Sequence, residues 1–175
     1  MRHETAHLKI DRKRSGFTMV ELLLVIAILG VLFSLAVGGL LETRKKLRQQ
    51  ELDAKAEIIY AAAQNRVAEL RAAGYGGRLT DDKTYTLNPM AQPEGVQVDV
   101  TNTPRFYYVR SQDKENETSL AGEILPETCV DPELWGSHWL IEYNGDTGLV
   151  YAVFYSETQE IPAEGDGAAD GRKDL

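Results

Sequence analysis

Residues 17–41 read FTMVELLLVIAILGVLFSLAVGGLL, and Glu21 is the only ionisable side chain among these 25. A helix rises 1.5 Å per residue, so about 20 such residues cross the hydrocarbon core of a bilayer. The stretch is read as a membrane-spanning helix. A carboxylate inside it costs about 2.5–3.5 kcal/mol at mid-bilayer and less near the interface, so Glu21 asks for a partner. A chain cut after Gly16 would offer the new amine of Phe17, four residues away and about 6 Å along the helix axis. The plainer alternative is an interfacial glutamate reaching toward lipid headgroups.

Ahead of this stretch stands a polar leader, MRHETAHLKIDRKRSG, residues 1–16, with Arg12, Lys13 and Arg14 close to its end. A basic run before an apolar one also describes a secretory signal peptide. Three features weigh against that. The apolar run is longer than an ordinary signal core, it contains a carboxylate, and Ala36-Val37-Gly38 is only a weak small-residue cleavage site. Charge does not orient the span: Arg2, Lys9, Arg12, Lys13 and Arg14 on one side face Arg44, Lys45, Lys46, Arg48 and Lys55 on the other, a tie under the positive-inside rule.

Residues 14–24, RSGFTMVELLL, carry a basic leader end, a glycine, an aromatic, a threonine, a glutamate at the fifth position after the glycine, and then an apolar run. This resembles the prepilin signature of type IV pilins and type II secretion pseudopilins. Met19 stands where that family most often has leucine, which keeps the apolar character. The resemblance implies cleavage between Gly16 and Phe17 by a prepilin peptidase on the cytoplasmic face, and N-methylation of Phe17. It implies that Glu21 meets the Phe17 amine of an adjoining subunit during assembly. It also orients the chain, leader inside and remainder outside, in the cell membrane first and in a surface filament afterwards.

Residues 42–74 continue without proline and are rich in Ala, Leu, Glu, Lys, Gln and Arg, all good helix formers. Leu52, Ala56, Ile59, Ala63, Val67 and Leu70 recur at spacings of three and four, an apolar stripe along one helix face. Gly74 is the expected stop. One helix over about residues 17–73 would be roughly 85 Å long. Gly30, Ser34 and Gly38 lie four apart on one face, where subunit packing and simple tolerance in lipid are equal readings. Gly38-Gly39 is where the helix is expected to loosen. The basic cluster at residues 44–48 reads as a solvated or headgroup-facing flank.

Residues 75–160 are expected to form a head domain with strands at Lys83–Leu87, Val96–Val100, Arg105–Arg110, His138–Tyr143 and Leu149–Ser156. The clearest pair is HWLIEY and LVYAVFYS joined by the turn NGDTG from Asn144 to Gly148. That hairpin also resembles the last sheet strands of Gram-positive pilin-like proteins. Residues 111–134 read as a polar surface loop or short helix, residues 161–175 as a disordered acidic tail, and Cys129 as a small buried residue. The fold class is therefore α+β: a long N-terminal helix, membrane-spanning in its first half, its second half packed on a small antiparallel sheet.

No enzyme motif is present, and no cofactor is expected. His3 and His7 lie in the leader, and His138 opens a strand, so no metal pair is proposed. The NGDTG turn and the EGDGAAD tail could bind calcium only weakly. Residues 75–175 hold 19 acidic and 7 basic side chains, so no nucleic-acid partner is expected for the head. Expected partners are a prepilin peptidase, identical or related pilin subunits, the membrane and an assembly machinery. The alternative is a non-polymerising, membrane-anchored binding or enzymatic domain. A plain anchor of that kind has no need of Gly16-Phe17 with Glu21.

Overall fold

The computed structural model describes residues 16–80, 84–90, 106–163 and 169–175. The leader through Ser15, with His3 and His7, and the expected strand Val96–Val100 fall outside them. The chain divides into two compact units, Met1–Arg44 and Lys45–Leu175.

The helix α1 is Met19–Ala72, 54 residues. Its end follows from Gly74, whose φ of 85° suits a residue without a Cβ. The Tyr75 amide donates back to the Leu70 carbonyl at 2.8 Å and the Gly74 amide to that of Arg71 at 3.0 Å, the paired bonds of a Schellman stop. Gly38-Gly39 lies inside α1. Helix is continuous there, and Thr43 Oγ1 donates to the Gly39 carbonyl at 2.9 Å.

In the second unit the expected stripe is the core. Ala56, Ile59, Ala63 and Val67 are fully buried, and Leu52 and Leu70 nearly so. They pack against one face of a five-stranded antiparallel sheet of order β1-β2-β3-β4-β5. The strands are β1 Asn88–Pro89, β2 Phe106–Arg110, β3 His138–Asn144, β4 Val150–Ser156 and β5 Gly171–Asp174. Side chains alternate across a sheet, so Val109, Trp139, Ile141, Tyr143, Val153 and Tyr155 face the helix. Leu140, Ala152 and Phe154 face away and are covered by Ile161 and Ala169. A bulge shifts the register between Glu142 and Tyr143, which turns Val150 rather than its neighbour into the helix-side core. Burying a residue such as Ile59 contributes about 1.5–3 kcal/mol, so the stripe is what fixes the sheet on α1.

The β3–β4 turn forms where NGDTG predicts it. Asn144 is buried, and its Oδ1 accepts from the amides of Asp146 at 2.9 Å and Thr147 at 2.8 Å. An asparagine side chain that satisfies two turn amides makes its own reverse turn.

Four expectations need correction. The first strand is two residues at Asn88–Pro89, not Lys83–Leu87: the described residues Thr84–Leu87 form a turn and coil. Residues 111–134, expected as a polar surface loop or short helix, do contain short helices but are not confined to the surface. They place Leu120, Ala121, Ile124, Leu125 and Leu134 in the core through the short helices α2, Ala121–Ile124, and α3, Pro132–Gly136. Cys129 is exposed, because it ends a one-turn 3-10 segment on the surface between those helices. The tail is not wholly disordered, since Gly171–Asp174 is the edge strand β5. Its composition misled because β5 is held by backbone bonds and charges and needs no apolar side chain.

Candidate functional site

The chemistry the sequence singles out lies at the start of α1. Gly16, Phe17 and Thr18 precede the helix in non-helical, exposed backbone, with Phe17 84% exposed. A Cβ on Gly16 would meet no atom within 4 Å. Among the described residues, then, nothing covers the Gly16–Phe17 peptide bond, which lies outside α1.

Thr18 stands at the N-cap position of α1, and Glu21 is in the first turn. The Thr18 amide and hydroxyl each donate to Glu21 Oε2 at 2.9 Å, and the Glu21 amide donates back to Thr18 Oγ1 at 3.2 Å. This is a reciprocal capping box, which satisfies helix-end amides that have no partner within the helix. Both bonds fall on Oε2, and no donor among the described residues reaches Oε1. The single chain thus brings Glu21 to Thr18, while the Phe17 amine enters only as a partner from another copy or after cleavage. Thr18 was not singled out as a site residue in the sequence, although T-x-x-E ahead of an apolar run is the signal for such a cap.

Beyond this first turn, as far as Leu41, the helix surface is apolar and uncovered. Val20 is 75% exposed, Phe33 71% and Leu35 71%. The richest window of α1 has a mean hydropathy of 2.8 and is unburied, long and apolar enough to cross a membrane. An unbroken apolar surface of this size has to meet lipid or another protein. Gly30 and Ser34 are exposed along it, and a Cβ on Gly30 or Gly39 would meet nothing within 4 Å. The structure therefore leaves these small residues open to a close neighbour without supplying one.

The head offers a cleft of about 510 Å³ lined by Arg48, Glu51, Lys55, Glu133, Tyr155 and Glu157. Both of its cations are already paired. Lys55 Nζ meets Glu157 Oε1 at 2.5 Å, Arg48 reaches the same carboxylate, and Arg48 also meets Glu51 at 3.1 Å. The hydrogen bond from Lys55 is the main cause that holds the Glu157 carboxyl below its ordinary range, and the same bond raises the Lys55 ammonium. Ion pairs closed on one another suit a structural clasp between α1 and the end of β4 better than a charged-substrate site. Among the described residues no group of three or more His, Cys, Asp or Glu is arranged to hold a metal.

Residues 11–37 match the family described as the prokaryotic N-terminal methylation motif. The match spans the leader end, Gly16, Phe17, Glu21 and most of the apolar stretch. No curated protein and no solved structure matches the chain.

Proposed function

We propose that the chain is a precursor, cut between Gly16 and Phe17 and assembled through α1 into a type IV filament as a pilin or pseudopilin. One observation carries the reading. The methylation motif falls on a helix start at which Gly16-Phe17 stands outside α1 while Glu21 sits within its first turn.

The uncovered apolar surface of α1 supports it, since such a surface can rest in lipid before assembly and against neighbouring helices afterwards. Cleavage and methylation would place an N-methylated amine one turn from a carboxylate whose Oε1 meets no donor among the described residues. A second copy's amine can then neutralise Glu21 as the helix leaves the bilayer interface. On this reading the leader is cytoplasmic, the head lies outside, and the role is structural rather than catalytic. The partners are a prepilin peptidase, copies of this chain or related subunits, and the assembly machinery. The filament would serve secretion, DNA uptake, adhesion or motility, with the resemblance of the β3–β4 hairpin favouring the Gram-positive kind.

Replacing Glu21 tests this directly. Glu21→Ala should leave membrane insertion intact and abolish incorporation into filaments. Incorporation at the wild-type level would contradict the electrostatic pairing.

A further inference from the structure

The C-terminal strand does more in the fold than its composition foretells. All seven residues of β4 are buried, so its outer edge is an apolar strand edge that has to be covered. β5 covers it while burying very little of itself: only Gly171 is buried, and Arg172, Asp174 and Leu175 are exposed. The attachment is a backbone ladder running from Tyr155↔Gly171 to Ala152↔Asp174. It is extended by the Asp170 amide on the Tyr155 carbonyl at 2.7 Å and the Leu175 amide on that of Tyr151 at 2.8 Å.

The helix closes the other side. Gln49 Nε2 donates to the Asp170 carbonyl at 2.9 Å, the Arg172 amide donates to Asp53 Oδ1 at 3.1 Å, and Lys173 faces Glu57 at 3.6 Å. At the crossing there is no room for a side chain. A Cβ on Gly171 would lie 2.3 Å from the Leu52 carbonyl oxygen and 3.0 Å from the Asp53 nitrogen, both backbone atoms. The slot between β4 and α1 therefore reads its occupant as an extended segment with glycine at the crossing and a cation two residues later.

We propose that this slot is a strand-acceptor site with an exchangeable occupant, filled in the single chain by its own β5 and open to the C-terminal strand of a second copy. Backbone bonds, exposed ion pairs, the Asp170 carboxylate accepting from the Ser156 hydroxyl at 2.7 Å and the Glu157 amide at 3.0 Å, and Arg172 over the Phe154 ring hold this segment; no apolar side chain of β5 is buried, so it opens locally at less cost than the head unfolds. The edge it uncovers then templates addition of a strand. A second copy supplies the same glycine and the same charges, while a strand with a side chain at the crossing collides with the Leu52 backbone. Exchange of an identical element links copies at little energetic cost. This inference concerns the head alone and goes beyond the processing reading, so either can fail without the other.

The test uses the full chain folded in detergent micelles, with a protease site placed between Ala163 and Ala169. Cutting after folding leaves β5 held by non-covalent contacts alone. A labelled peptide of residues 170–175, Asp-Gly-Arg-Lys-Asp-Leu, should replace the cut segment saturably and be displaced by unlabelled peptide. The same peptide with Gly171→Val should bind at least about tenfold more weakly. In the unaltered, uncut chain, the amides of residues 171–175 should exchange with solvent faster than those of β3. Equal uptake of the valine or a scrambled peptide, no uptake at all, or exchange of β5 only together with β3 would each overturn the proposal.

Discussion

Thr18 and Glu21 hold each other at the start of α1, through two donors of Thr18 on one carboxylate oxygen at 2.9 Å and a return bond from the Glu21 amide at 3.2 Å. The carboxylate that the proposed assembly needs is thus already part of the helix cap. An incoming amine has to share Glu21 with Thr18 rather than find it unpartnered, and Oε1, which no donor among the described residues reaches, makes sharing possible.

Thr18→Val keeps the shape of the side chain and removes the hydroxyl from the cap. Loss of an N-cap costs about 0.5–2 kcal/mol. In micelles, amide hydrogen exchange over residues 19–22 should quicken by roughly fivefold, the equivalent of about 1 kcal/mol. Unchanged exchange would show that the capping box contributes nothing to the helix start.

The stripe on α1 makes a prediction about two adjacent isoleucines. Ile59 is fully buried against the sheet, whereas Ile58 is 51% exposed. Ile59→Ala should destabilise the head by about 2–5 kcal/mol. Ile58→Ala should stay within about 0.5 kcal/mol of wild type. Denaturant titration of the full chain in micelles, followed by tryptophan fluorescence, separates the two; equal losses would mean that the helix register is wrong.

Much of this fold was legible because its signals are periodic. The spacing from Leu52 to Leu70 marked the buried helix face, and alternation in Trp139, Ile141 and Tyr143 marked a sheet face. Asn144 announced its turn by chemistry rather than pattern. What escaped notice had no such signal. Leu120, Ile124 and Leu125 reach the core from elements too short to show a period. β5 is built of Gly, Arg, Lys and Asp, whose contacts are backbone bonds and ion pairs made with residues distant in the chain. At the candidate site, Gly16, Phe17 and Glu21 were legible as a motif, whereas the role of Thr18 lies in the T-x-x-E spacing of a helix cap, a local signal separate from that motif.

The clasp around Glu157 gives the head a defined response to acid. Chiefly through the bond from Lys55, the folded state holds this carboxyl below its ordinary value of 4.5. A carboxylate whose pKa falls on folding contributes stability above its unfolded pKa and loses it as pH drops through the folded value. Glu157→Gln should therefore lower the thermal midpoint at neutral pH. The gap from wild type should begin to shrink near the ordinary carboxylate value and vanish once Glu157 is protonated in the folded chain. A gap that stays constant from neutral pH into acid would rule out ionised Glu157 as the source.

The most direct test of the central claim is the mass of the N-terminal peptide of the chain recovered from membranes of a cell that carries a prepilin peptidase. Processing as proposed predicts a peptide that begins at Phe17 and carries one methyl group on its amine, and predicts that Gly16→Leu abolishes it. An intact Met1, or a terminus anywhere other than Phe17, would contradict the account and leave the apolar helix as a plain membrane anchor.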